Sequence, residues 1–254
     1  FIMTTKPNFI IIGAMKAATT SLYTYLKQHP DIFMTSVKEP MFFNNFKKEN
    51  NYIIKGRKTK KIKTLKQYYS LFNTVNTETA IGEASPSYIS DKDCPIIIKE
   101  HLPNIKIIAI LRQPVRRAYS NYLHAQRSGR ETINDFEKAF NKEKVRIEEN
   151  WSPLYHYKTK GFYFEQLNRY YNLFPKENIH IILFEEIIKD PKSVIKKVFN
   201  FLNVDDSFIS NSSKKINVSG IPKGIFGWLI MKGRYYNLIP NIELRKYLPQ
   251  AIIK

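Results

Sequence analysis

Three short apolar runs, each followed by a stretch of helical period, constrain this chain more than any other feature. They are residues 9–12 (FIII), 105–111 (IKIIAIL) and 179–184 (IHIILF). A strand that is apolar at consecutive positions is covered on both faces, as in a parallel sheet with helices above and below. The first run leads to a helix over 19–28, with Leu22, Tyr25 and Leu26 on one side and His29-Pro30-Asp31 as its stop. The second ends at Arg112, and Gln113-Pro114 opens a helix to about Arg127, proline suiting a first turn. The third leads through Asp190-Pro191 into 193–202, where Val194, Val198, Phe201 and Leu202 mark an apolar face. Helical patterns also cover 134–148 and 162–174. This alternation predicts a single α/β domain over 8–254 around a central parallel sheet flanked by helices.

Composition narrows the ligands. A net charge of +19 gives the molecule a positive field suited to anions, nucleic acid or membrane headgroups. Residues 47–66, with nine Lys/Arg against one Glu, read as an exposed basic insertion. Residues 205–224 read as a loop, and 225–254 form a tail of mixed aromatic and basic character. The one cysteine, Cys94, excludes an internal disulfide and suits a reducing, cytoplasmic setting. No apolar run reaches the roughly 18 residues of a membrane span, and the five histidines show no metal-ligand spacing. No metal is expected.

Chemistry concentrates where apolar runs end. In a parallel sheet, ligands bind beyond the carboxyl ends of strands, where helix N-termini favour anions. After FIIIG comes Ala14-Met15-Lys16, then Ala17, Ala18, Thr19, Thr20 and Ser21: one full positive charge and three hydroxyls at such a junction. The spacing is not that of a nucleoside-triphosphate loop, which needs G-x-x-x-x-G-K-[ST]. The same residues also suit a plain helix with Thr19 as N-cap and Lys16 in solvent. The second junction repeats the logic. Arg112 ends a strand, and Ser120 lies two turns into the next helix, a pair fitted to a phosphate by charge-assisted hydrogen bonds.

Together, KAATTS and LRQPVRRAYS resemble the phosphate-binding motifs of sulfotransferases that use 3′-phosphoadenosine-5′-phosphosulfate (PAPS). The continuation KAATTSLYTYLKQHPDI is similar to the heparan-sulfate type and its bacterial relatives. The resemblance implies a P-loop-like sulfotransferase fold, with Lys16 to Ser21 at the 5′-phosphosulfate and Arg112 and Ser120 at the 3′-phosphate. Ala18 stands where the family usually has glycine. In KEPMFF, Glu39 matches the family's proposed general base, with Lys38 beside it at the substrate. GEASPSY also resembles a family segment, with Glu83 as a reserve base or acceptor contact and Ala84 where heparan enzymes often carry lysine. Tyr163 matches a stretch near the adenine, and Lys223 a late loop closing over the nucleotide, while His124 is a candidate acceptor contact. The expected function is sulfuryl transfer from PAPS to a hydroxyl, less readily an amine, of a glycan or small natural product. The sequence leaves two other classes open. One is a P-loop-like nucleotide kinase. The other is a basic nucleic-acid-binding module that stacks bases on Tyr52, Tyr68 and Tyr69.

Overall fold

The computed structural model describes residues 5–46, 52 and 62–211. Lys223, the tail 225–254, most of the basic segment 47–66 and the latter part of the loop 205–224 lie outside the described residues. Five parallel strands form one sheet in the order β2-β3-β1-β4-β5. They are β1 (Phe9–Gly13), β2 (Ile32–Met34), β3 (Ala80–Ala84), β4 (Lys106–Leu111) and β5 (Ile179–Leu183). Helices occupy the connections: α1 (Thr19–Leu26), α2 (Phe42–Asn45), α3 (Leu65–Tyr69), α4 (Cys94–His101), α5 (Pro114–Arg127), α6 (Phe136–Asn141), α7 (Glu143–Glu148), α8 (Tyr163–Tyr171), α9 (Phe184–Lys189) and α10 (Pro191–Leu202). The α/β parallel-sheet reading therefore holds.

Central β1 is buried along its whole length, as are Ile107 to Ile110 on β4. Continuous burial explains why both strands read as unbroken apolar runs. Phe9 pairs with Gly82 on one side and Lys106 on the other. A Cβ at Gly82 would lie 2.3 Å from the Phe9 ring, so the glycine makes room for that ring. On the β4 side the register slips by one residue between Ile11 and Gly13, a bulge at the carboxyl end of the strand.

Two strands escaped the sequence reading. β2 is only three residues long, and β3 carries Gly82 and Glu83, residue types depleted in strands. The expected helix over 134–148 is broken at Lys142, which ends α6 and begins α7. On α10 it is Phe199 rather than Phe201 that is fully buried, and Phe201 instead stacks on His180.

The chain divides into two compact units. The first is drawn from residues 5–46, 62–113 and 162–211 and contains the whole sheet; the second is built on 114–161. In the second, Ala118, Tyr122, Ala139 and Tyr157 form a small apolar core. Arg146 grips Glu131 through two hydrogen bonds of 2.7 and 2.9 Å, and the Tyr157 hydroxyl donates to the same carboxylate.

Candidate active site

The loop after β1 is shaped by close packing and unusual backbone. A Cβ at Gly13 would fall 2.4 Å from Ile89 Cγ2 and 2.9 Å from the Pro86 carbonyl oxygen, so only glycine fits there. Lys16 and Ala18 both adopt the left-handed region, at φ 67° and 64°. Ala18, not Thr19, is therefore the N-cap of α1, and no side chain caps the helix. The first intrahelical bond runs from the Leu22 N–H to the Ala18 carbonyl, 3.1 Å. The N–H groups of Thr19, Thr20 and Ser21 precede it, and the first turn carries no acidic residue. Such an end attracts an anion through its dipole and its amides. The side chains of Thr19 and Ser21 are themselves buried, Thr20 half so.

Arg112 reaches this loop from β4. Its guanidinium donates to the Lys16 carbonyl at 3.0 Å and lies over the Phe184 ring at 4.4 Å. The Tyr163 hydroxyl donates to the Arg112 carbonyl, 2.9 Å. The two cationic residues expected at neighbouring strand ends are thus in contact. Phe184, missed in the sequence, is the last residue of the third apolar run, placed by β5 beside Arg112.

The Glu39 loop arrives from the other side. Lys38 Nζ donates to Thr20 Oγ1 at 2.7 Å and lies 3.5 Å from Glu39 Oε1, a half-exposed pair. One lysine therefore links the start of α1 to the candidate base. Glu39 and Met41 are also left-handed, at φ 55° and 48°. Four of the six non-glycine residues with positive φ among those described thus sit in the two loops that carry Lys16 and Glu39. Backbone held in such sparsely populated regions marks functional loops.

Glu83 requires a correction. It is fully buried on β3, so burial takes it out of reach of an acceptor. Its carboxylate accepts from the hydroxyls of Tyr88 (2.8 Å), Tyr68 (3.3 Å) and Ser85 (2.7 Å). Burial pushes its pKa up to about 7, against the downward pull of the three hydroxyls and with a further upward push from the Glu39 charge. The signal for Ser85 was present in the sequence, since residues two apart on a strand share a face. Tyr68 is likewise fully buried, stacked on Phe42 with ring centroids 4.6 Å apart, and offers no platform to a base.

Ser120 and His124 belong to the second unit, one turn apart on α5. Ser120 is buried, and His124 Nδ1 lies 3.3 Å from an Arg127 nitrogen. Among the described residues no group of three or more His, Cys, Asp or Glu is placed to hold a metal ion, and no helix is long and apolar enough to cross a membrane.

A model of the sulfotransferase domain matches residues 6–217. The crystal structure of a sulfotransferase from Alicyclobacillus acidocaldarius is similar, with a TM-score of 0.78 and 36% identity, covering 84% of this chain and 87% of that one. The membrane-associated sulfotransferase kil1 of Dictyostelium discoideum is 26% identical over 78% of this chain and 56% of its own length. Human heparan sulfate glucosamine 3-O-sulfotransferase 3B1 is 28% identical over 82% of this chain and 50% of its own. The chain spans about half the length of these two curated relatives. Matched over most of its length, with Lys16 and Arg112 in contact at the strand ends, the chain belongs to the sulfotransferase domain family.

Proposed function

We propose that this chain transfers the sulfuryl group of PAPS to a hydroxyl acceptor. The observation that carries this reading is the convergence of Lys16, Thr20, Lys38, Glu39 and Arg112, from three separate segments, on one edge of the sheet. The surroundings fit the anionic end of the nucleotide: an acid-free first turn of α1, two lysines and a guanidinium. When bound, PAPS supplies a sulfuryl group on a phosphate leaving group.

The chain's own residues divide the remaining work. Lys16 and the first-turn amides of α1 complement negative charge as it grows on the leaving oxygen, the kind of electrostatic help that dominates group transfer. Ala17 and Ala18 contribute backbone alone, while Thr19, Thr20 and Ser21 contribute amides and hydroxyls. Arg112, fixed by Phe184 and the Lys16 carbonyl, takes the 3′-phosphate, and Tyr163 lies by the adenine. Glu39 withdraws the acceptor proton, with Lys38 holding its carboxylate beside Thr20. The +19 charge and the heparan-acting relatives support an anionic glycan as acceptor, with a small natural product as the other class.

Calorimetric titration with adenosine 3′,5′-bisphosphate, 5′-AMP and ATP tests the nucleotide. The bisphosphate binds most tightly, and Lys16→Ala and Arg112→Ala each weaken it about tenfold or more, as expected for hydrogen bonds to charged groups. A preference for ATP that requires Mg²⁺ would instead support a nucleotide kinase and overturn this reading.

A further inference from the structure

The buried Glu83 cluster has a polarity that the proposed transfer does not use. Helix α2 is only four residues long, and its N-cap, Met41, provides no side-chain cap. The amides at this start are satisfied instead from the segment just after β3. The Met41 N–H donates to Ser85 Oγ at 3.0 Å, and the Phe43 N–H donates to the Tyr88 hydroxyl at 3.4 Å. Each hydroxyl has one proton. Having accepted an amide, each turns that proton to Glu83: Ser85 to Oε2 and Tyr88 to Oε1. Tyr68 sends a third to Oε1. Three hydroxyls converge on one carboxyl group, two at Oε1 and one at Oε2.

We propose that Glu83 is a positioning residue for the Glu39 loop: its buried carboxyl group, acting through Ser85 and Tyr88, holds the backbone that presents Glu39. This rests on the reading of Glu39 as the base. With its proton on, Glu83 can still accept from Tyr68 and Tyr88 at one oxygen and meet Ser85 at the other, whereas ionised it is a buried charge that opening of the loop would hydrate.

The switch falls near neutral pH. Burial brings the Glu83 pKa to about 7. The titratable groups that interact with it are Tyr68 on α3, Tyr88 after β3, Tyr170 on α8 and Glu39, itself beside Lys38. Burial holds all three tyrosines well above the ordinary phenol range, so none of them titrates in this window. Because burial makes the closed form bind this proton more tightly than an open, hydrated form does, the loop is held below about pH 7 and loosened above it.

Amide hydrogen exchange over residues 39–46, corrected for the intrinsic pH dependence of exchange, reads the anchor directly. In the wild-type protein, protection of this segment falls about tenfold from pH 6 to pH 8. This arm needs no substitution. Glu83→Gln, which cannot ionise, flattens the pH dependence of protection, while affinity for adenosine 3′,5′-bisphosphate is unchanged. Tyr88→Phe, which keeps the ring, lowers protection at Phe43. Wild-type protection that does not change with pH overturns the inference, as does a Glu83→Gln variant that keeps the wild-type profile. Turnover of PAPS, with water as acceptor, separates this from the base assignment. Glu39→Gln stops turnover but leaves protection and its fall with pH in place, with the midpoint moved down as the Glu39 charge is removed. If Glu39→Gln turns PAPS over at the wild-type rate, the base falls, and with it the loop's task of presenting one. If Glu39→Gln is inactive while protection is flat, only the positioning role of Glu83 falls.

Discussion

Ala18 bears a methyl group in the left-handed region, where a Cβ crowds the following carbonyl. Glycine takes that conformation without strain, although it has more freedom to lose on folding. Ala18→Gly should therefore stabilise the protein by about 1 kcal/mol, read as a higher urea midpoint at unchanged slope. A lower midpoint would mean that the loop is not held as described. Lys38 makes the opposite case. Its pair with Glu39 is half-exposed, so Lys38→Met should change stability by less than about 1 kcal/mol while lowering PAPS turnover. Equal turnover in the variant would remove Lys38 from the site. Lys16 and Arg112 stood out in the sequence as charged residues at the ends of apolar runs, and Glu39 through the motif that resembles the family's. Glu83 was not legible in the same way. A carboxylate reads as exposed in a sequence, and its burial depends on Tyr68 and Tyr88, which the fold brings in from either side along the chain.

At the scale of elements, β1, β4 and β5 were visible as unbroken apolar runs, whereas β3 was hidden by the residues it needs. Gly82 is there because the Phe9 ring of the next strand occupies the place of a side chain. Glu83 is there because three hydroxyls receive it. Neither reason is local, so propensity reads the strand as a loop. The bulged end of β1 is tight for a comparable reason. Gly13→Ala drives a Cβ into Ile89 and the Pro86 carbonyl and should destabilise by about 2 kcal/mol, measured by thermal or urea unfolding. Phe184→Ala tests the junction of β5 and α9. Removing the ring under Arg112 should weaken the bisphosphate several-fold with little loss of fold, since a partly desolvated cation–π contact contributes about 1 kcal/mol.

For the whole molecule, the fold class followed from the alternation of apolar runs and helical segments, while the division into two units left no mark in composition. The second unit holds a buried lysine, Lys160, whose pKa falls to about 7, chiefly through burial and next through the neighbouring Arg117 charge, with Glu143 opposing. The folded state therefore releases this proton well before the unfolded chain does. Stability from this group should rise as the pH climbs from about 7 towards 10, and Lys160→Met should abolish that rise while raising stability at pH 7. Unfolding midpoints across that range decide it. The sheet order bears on how the chain reaches this state. Central β1 needs β3, some seventy residues later, and β4, about twenty-five beyond that. During synthesis its apolar run has no lasting partner until both have left the ribosome. Pairings of such long separation form slowly and leave sticky strands waiting. Within this domain the segment that ends in the Lys16 loop is thus made before either of its neighbours, and until both arrive it is a part of the chain in need of a chaperone.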